Sequence, residues 1–126
     1  MLSSKINILV AEDEEVNFYL LDMWLRDFCT VIHANNGQET IDVFKSNNAI
    51  DLILMDIKMP IINGIEAAIA IRKIDQNIPI IAQSAFVMRS ETEKILSAGC
   101  NEILAKPIRK DQFQKMLIKY IPSLKF

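Results

Sequence analysis

Ile6-Asn7-Ile8-Leu9-Val10-Ala11-Glu12-Asp13 is an apolar run too short for a buried helix, closed by two acids. Four more runs repeat the plan along the chain: Thr30-Val31-Ile32-His33, Asp51-Leu52-Ile53-Leu54-Met55, Ile78-Pro79-Ile80-Ile81-Ala82 and Glu102-Ile103-Leu104-Ala105. Continuous Ile- and Val-rich runs of this length are expected of parallel strands covered on both faces. Stretches of helical period separate them, at Glu14 to Phe28, Gln38 to Asn47, Gly64 to Asp75, Arg89 to Ala98 and Lys110 to Tyr120. Strict alternation of strand and helix predicts an α/β, doubly wound sandwich, because parallel strands require crossovers and those crossovers are right-handed.

The punctuation agrees. Asn36-Gly37 and Asn63-Gly64 open the second and third helices, and Gly99 stands where the fourth helix needs a residue to end it. Pro60, Pro79, Pro107 and Pro122 fall at element edges, where the missing N–H costs least.

The chain has 126 residues, 51% hydrophobic and 24% charged, which fits one packed domain over 1–126 and excludes a disordered chain. No apolar run reaches the roughly 18 residues of a membrane span, and no signal-like segment opens the chain, so membrane insertion and secretion are not expected and a cytoplasmic location is. A formal net charge of −2 lacks the basic field that holds nucleic acid, so no direct nucleic-acid partner is expected. The two cysteines, Cys29 and Cys100, lack CxxC spacing and read as buried, reduced thiols.

In an open parallel sheet, ligands bind beyond the carboxyl ends of the strands. Those ends here carry Glu12 and Asp13, Asp56, Ser84, and Lys106 with Pro107. Singly, Asp13 could be a cap, Ser84 a turn residue and Lys106 a solvated charge. Together they form a site. Carboxylates ~5 Å apart repel by roughly 3 kcal/mol at an effective dielectric of 20, and a hard divalent cation removes that repulsion. Oxygen ligands from Glu12, Asp13 and Asp56, completed by waters and a backbone carbonyl, suit Mg²⁺, while the absence of Cys and His disfavours zinc. Lys106 and Ser84 supply a charge and a hydrogen bond for phosphoryl oxygens, and a carboxylate, Asp56 at the centre, is the nucleophile to expect.

These residues resemble a known family. Ile8 to Asp13, Leu54-Met55-Asp56-Ile57-Lys58-Met59-Pro60 with Asn63-Gly64, Ser84-Ala85 and Lys106-Pro107 are similar to the receiver domain of two-component response regulators. Glu15-Val16-Asn17 is similar to the start of the first helix in receivers of hybrid sensor histidine kinases. The resemblance covers nearly the whole chain. It implies a flavodoxin-like (βα)5 fold with a five-stranded parallel sheet in order 2-1-3-4-5. It further implies a phosphorelay signalling domain, not a turnover enzyme, that accepts a phosphoryl group from a partner phosphohistidine onto Asp56. Mg²⁺, with Mn²⁺ as a substitute, would be held by Glu12, Asp13, Asp56 and the backbone carbonyl of Lys58. Lys106 would contact the phosphoryl group, Ser84 would match the switch hydroxyl, and the Lys106-Pro107 bond would be cis.

Two positions bear on how such a switch would run. Ile103 stands where the family usually has Tyr or Phe, so an aromatic rotation is not expected there. Lys58 and Phe86, two residues beyond the phosphoacceptor and the switch hydroxyl, cannot orient an attacking water well, and Phe86 would shield an acyl phosphate; slow self-dephosphorylation is expected.

The first helix is apolar nearly all round. With Leu20, Leu21 and Trp24 on the sheet, Val16, Tyr19 and Met23 should emerge near the acid rim, either as thicker core or as a docking patch. The family resemblance implies that a histidine kinase or histidine phosphotransfer domain docks there, and that a homodimer or effector could use helix 4, strand 5 and helix 5. Lys110, Lys115 and Lys119 read as a solvated basic face, His33 as structural and remote from the acids, and Met55 and Met59 as core filling. Two other classes fit less well. A haloacid-dehalogenase-type phosphatase needs a second Asp at position 58, which is lysine, and a flavodoxin-like electron carrier needs a phosphate loop where Glu12-Asp13-Glu14-Glu15 would repel the anion.

Overall fold

A computed structural model describes residues 5–47, 49–85 and 88–126. Five strands, β1 (Asn7–Ala11), β2 (Thr30–Ala34), β3 (Leu52–Asp56), β4 (Ile80–Ser84) and β5 (Glu102–Ala105), alternate with five helices, α1 (Glu15–Leu25), α2 (Gly37–Ser46), α3 (Gly64–Ile74), α4 (Arg89–Ser97) and α5 (Lys110–Tyr120). The sheet is parallel throughout, in the order β2-β1-β3-β4-β5. Phe86 lies outside the described residues.

Side-chain alternation along each strand builds two cores. Ile8, Val10, Leu52, Leu54, Ile81 and Leu104 pack with Leu21 and Leu25 of α1 and Phe113 and Leu117 of α5. Leu9, Ala11, Ile53, Met55, Ile80 and Ala82 face the other way, onto α2, α3 and α4 through Phe44, Ala67, Ile71 and Ile95. Both faces being covered is the reason that the strands are continuously apolar. Met55 and Met59 are buried in the second of these cores, as core filling requires.

β4 and the end of α1 depart from the sequence reading by more than one residue. The apolar run at Ile78 to Ala82 starts its strand two residues later and carries it to Ser84, because Pro79 has no N–H and the Ile78 N–H is taken by Asp75 Oδ1 at 3.1 Å. The first helix stops at Leu25 and not at Phe28, since the Phe28 N–H turns back to Leu25 O at 2.9 Å, closing a tighter turn. Leu25 then takes the buried place on the sheet beside Leu21, while Leu20 and Trp24 are half-buried. Cys100 is buried, but Cys29 at the end of this turn is only half-buried; burial pushes both thiols up to about 11, which keeps them protonated.

The loop between β3 and α3 is held from both sides. Asn63 caps α3 by accepting from the Glu66 N–H at 2.9 Å while Glu66 accepts from the Asn63 N–H at 3.2 Å, a reciprocal box. Gly64 has no side chain because a Cβ there would stand 2.3 Å from the carbonyl oxygen of Asp56. Helix α3 therefore begins directly against the strand end. Between them Ile61 sits at φ 71°, a left-handed conformation costly for a β-branched residue, and its side chain is 77% exposed. Replacing Ile61→Asn, a residue that tolerates this region, should raise stability by about 1 kcal/mol, seen as a higher urea midpoint at unchanged slope. An unchanged midpoint would mean that no strain is stored there.

Candidate functional site

The rim at the carboxyl ends of β1, β3 and β5 gathers the acids and the lysine. Val10, Leu54 and Ile81 are register neighbours facing α1 and α5, so two residues further along β1 and β3 Glu12 and Asp56 point to the same face. Carboxylate oxygens of Glu12, Asp13 and Asp56 lie within 4.8 Å of one another, with Glu12 and Asp56 buried and Asp13 exposed. Lys106 reaches in from beyond β5 and places Nζ 3.0 Å from Asp56 Oδ1 and 3.6 Å from Glu12 Oε1. The Lys106-Pro107 bond that launches this side chain is cis.

The electrostatics follow from burial. Desolvation and then the Asp56 charge push the Glu12 carboxyl up to about 7, against the pull of Lys106. Burial likewise raises Asp56, opposed by its hydrogen bond to Lys106. Burial draws Lys106 down, but Asp56 and Glu12 outweigh it and the ammonium is held above its usual range. The repulsion expected of crowded acids is thus met by the lysine, and the raised Glu12 carboxyl takes up a proton as pH falls through about 7.

The donor set fits a hard divalent cation. It consists of oxygens alone, the spacing is that of a shared ion, and Glu12 Oε1 is a buried oxygen with no hydrogen-bond partner. Lys58 follows Asp56 by two residues, exposed, beside a groove of about 760 Å³ that it lines with Asp13, Asn63, Glu91 and Lys94. That groove gives the cluster access to solvent and to α4.

Ser84, the last residue of β4, is buried, and its hydroxyl donates to Glu91 Oε1 of α4 at 3.4 Å. Glu91 is a neighbour that the sequence does not flag. His33 is not remote from the acids: its Nε2 lies 2.8 Å from the backbone carbonyl of Glu12, and its ring stacks on Phe18 with centroids 3.7 Å apart. It props the strand end through the main chain and contributes no group to the acid cluster. Ile103 is half-buried against the α2, α3 and α4 core. Lys119 is not merely solvated, because it bonds Glu102, which also accepts from the Tyr120 hydroxyl at 2.7 Å.

On α1, Val16, Tyr19 and Met23 are 81%, 62% and 57% exposed. At this spacing they form one apolar stripe on the side of the helix away from Leu21 and Leu25. Among the described residues no helix is long and apolar enough to cross a membrane.

Known proteins share this arrangement. The profile of the family described as "Response regulator receiver domain" matches residues 8–118. Hybrid signal transduction histidine kinase I of Dictyostelium discoideum is 42% identical over 111 residues, which are 80% of this chain and 6% of that protein. Among solved structures, the receiver domain of sensor histidine kinase PA1611 from Pseudomonas aeruginosa, with a magnesium ion coordinated in its active-site cleft, superposes with a TM-score of 0.87 at 31% identity, covering 95% of this chain and 100% of that one. The receiver domain of Saccharomyces cerevisiae Ssk1, solved with the histidine phosphotransfer signalling protein Ypd1, gives a TM-score of 0.86 at 29% identity over 98% of this chain and 95% of that one.

Proposed function

The chain belongs to the response regulator receiver-domain family, and from that premise we propose that residues 1–126 act as a single phosphoacceptor domain of a phosphorelay. Asp56 is the acceptor. The observation that carries this reading is one buried carboxylate, Asp56, clustered with two further acids and a lysine 3.0 Å away, with Asp13 of the cluster lining an open groove.

Mg²⁺, or Mn²⁺ in its place, would be held by Glu12, Asp13, Asp56 and the backbone carbonyl of Lys58, and it would neutralise charge on the transferring group. An Asp56 oxygen attacks phosphorus, the P–N bond of the donor phosphohistidine breaks, and the imidazole leaves with the bonding pair and takes up a proton. Lys106 follows the new phosphoryl oxygens with its ammonium, and the Ser84 hydroxyl exchanges Glu91 for one of them. That exchange, communicated to α4, is the signal. The domain is a switch that holds one phosphoryl group at a time and does not turn over a substrate. Its setting is the cytosol, or the cytosolic side of a membrane where it forms part of a hybrid kinase. A homodimer or effector would use α4, β5 and α5, where Ile103 replaces an aromatic rotation with a smaller aliphatic shift.

The donor docks on α1. Its exposed stripe of Val16, Tyr19 and Met23 suits a four-helix phosphotransfer or dimerisation domain, by analogy with the pairing of Ssk1 and Ypd1. Exchanging Tyr19→Ser and Met23→Ser together should slow transfer from the cognate phosphohistidine protein at least about tenfold, while labelling by acetyl phosphate continues unchanged. Equal slowing of both donors would move the effect to the site and remove the docking role. The phosphoacceptor reading itself is tested by intact mass after incubation with acetyl phosphate, with and without Mg²⁺: a phosphoryl adduct that requires the metal supports it, and no adduct from either acetyl phosphate or a phosphohistidine donor sinks it.

A further inference from the structure

Among the described residues of the sheet, Gln83 is the buried polar side chain that the phosphoacceptor reading leaves unused. It is 1% exposed, and its Nε2 has no hydrogen-bond partner. Burying a carboxamide donor without a partner is costly, so a native protein retains one where it serves something.

The register shows what lies over it. Asp56 pairs with Gln83 across β3 and β4, and Gln83 pairs with Leu104 across β4 and β5. Paired residues share a face, so Asp56, Gln83 and Leu104 all point toward α1 and α5, and Lys106, two residues beyond Leu104, returns to that face. To bring Nζ within 3.0 Å of Asp56 Oδ1, the Lys106 side chain has to pass over the end of β4, where Gln83 faces the same way and lines one cavity with it. A cavity of about 90 Å³ opens at this crossing, lined by Gln83, Lys106 and Asn17 together with the aliphatic Leu20 and Leu21 of α1.

We infer that Gln83 is a positioning residue for Lys106, acting through a water held in this cavity; the inference rests on the phosphoacceptor reading. The chemistry closes. Lys106 carries three N–H donors; Asp56 accepts one at 3.0 Å, while Glu12 Oε1 at 3.6 Å attracts the charge from beyond hydrogen-bond distance. A water oxygen accepts one hydrogen bond from a remaining Lys106 donor and one from Gln83 Nε2. The Asn17 amide nitrogen donates to Glu14 Oε1 at 3.2 Å, which leaves the Asn17 side-chain carbonyl to accept from the water. Buried waters occupy sites of this kind, roomy and with two to four polar partners. A lysine stem is flexible, and the bridge stops it swinging away from Asp56 when a phosphoryl group arrives.

Gln83→Met, close in length and without the amide, separates this role from a structural one. The variant should melt close to wild type, since an amide and the water it holds are exchanged for an apolar side chain of similar length, yet take phosphoryl from acetyl phosphate about tenfold more slowly. A high-resolution crystal structure of the wild-type protein should hold a water within hydrogen-bond distance of both Gln83 Nε2 and Lys106, and this arm decides the matter should the variant not fold. A dry cavity, or a folded variant labelled at the wild-type rate, overturns the positioning role and leaves the phosphoacceptor reading standing. Wild type that takes no phosphoryl from any donor overturns both.

Discussion

Asp56→Asn is expected to form no acyl phosphate with any donor, at any Mg²⁺ concentration, and to be more stable than wild type when metal is absent. The first half follows from chemistry. An amide oxygen at position 56 is a poor nucleophile and cannot form the mixed anhydride, and Glu12 and Asp13, as the proposed metal ligands, are not expected to take over. The second half follows from charge. Wild type confines two buried carboxylates, Glu12 and Asp56, around one ammonium, and burial raises both acids. The variant leaves a one-to-one pair, Lys106 with Glu12, and relieves repulsion of the order estimated for carboxylates ~5 Å apart, less the lost Lys106 contact; a net gain of about 1 kcal/mol at pH 7.5 is expected in urea denaturation with EDTA. Mg²⁺ should stabilise wild type and not the variant. An adduct on Asp56→Asn would place the acceptor elsewhere.

The second large effect concerns pH. Without a divalent cation the protein should be markedly more stable at pH 5 than at pH 7.5, the reverse of ordinary acid denaturation over that range. Glu12 titrates at about 7 in the folded protein against an ordinary 4.5. Between those values the folded state binds a proton that the unfolded state does not, so this contribution is complete below 4.5 and is lost as pH rises through 7. At 1.36 kcal/mol per unit it amounts to something on the order of 3 kcal/mol. The raised Asp56 acts in the same direction. Glu102, lowered by Lys119 and Tyr120, has its window below 4.5, while the thiols and Tyr120, raised to about 11 and about 12, have theirs above the range tested. Urea midpoints at the two pH values should therefore fall with rising pH in wild type and fall less in Glu12→Gln, where only the raised Asp56 remains. Mg²⁺ should stabilise more at pH 7.5 than at pH 5, because its ligands have to be deprotonated. A wild-type curve that is level without metal would show that Lys106 alone neutralises the cluster.

Both effects arise from residues that the sequence displays openly. Strands buried on both faces must be apolar from end to end, so their last residues, where polarity returns, are conspicuous: Glu12, Asp13, Asp56, Ser84 and Lys106 stand at those points. The boundaries that moved did so for local reasons that an apolar run cannot carry. Pro79 and the Asp75 side chain delay β4, and the Leu25 turn shortens α1. What stayed hidden is contact across long sequence separations. His33 against the Glu12 carbonyl and Glu91 against Ser84 depend on how neighbouring elements stack. Gln83 was masked by its own neighbours, one polar residue closing an aliphatic run, and acquires meaning only when the register puts it beneath the path of Lys106.

In the proposed function one carboxylate in this cluster, and that one alone, carries the phosphoryl group. The most direct test is to load the protein with acetyl phosphate and Mg²⁺, trap the acyl phosphate by borohydride reduction, and map the reduced residue by peptide mass. Reduction confined to position 56 is the predicted result. Reduction at Glu12 or Asp13, or a phosphoryl group that survives borohydride because it sits on Ser84 or His33, would contradict the account.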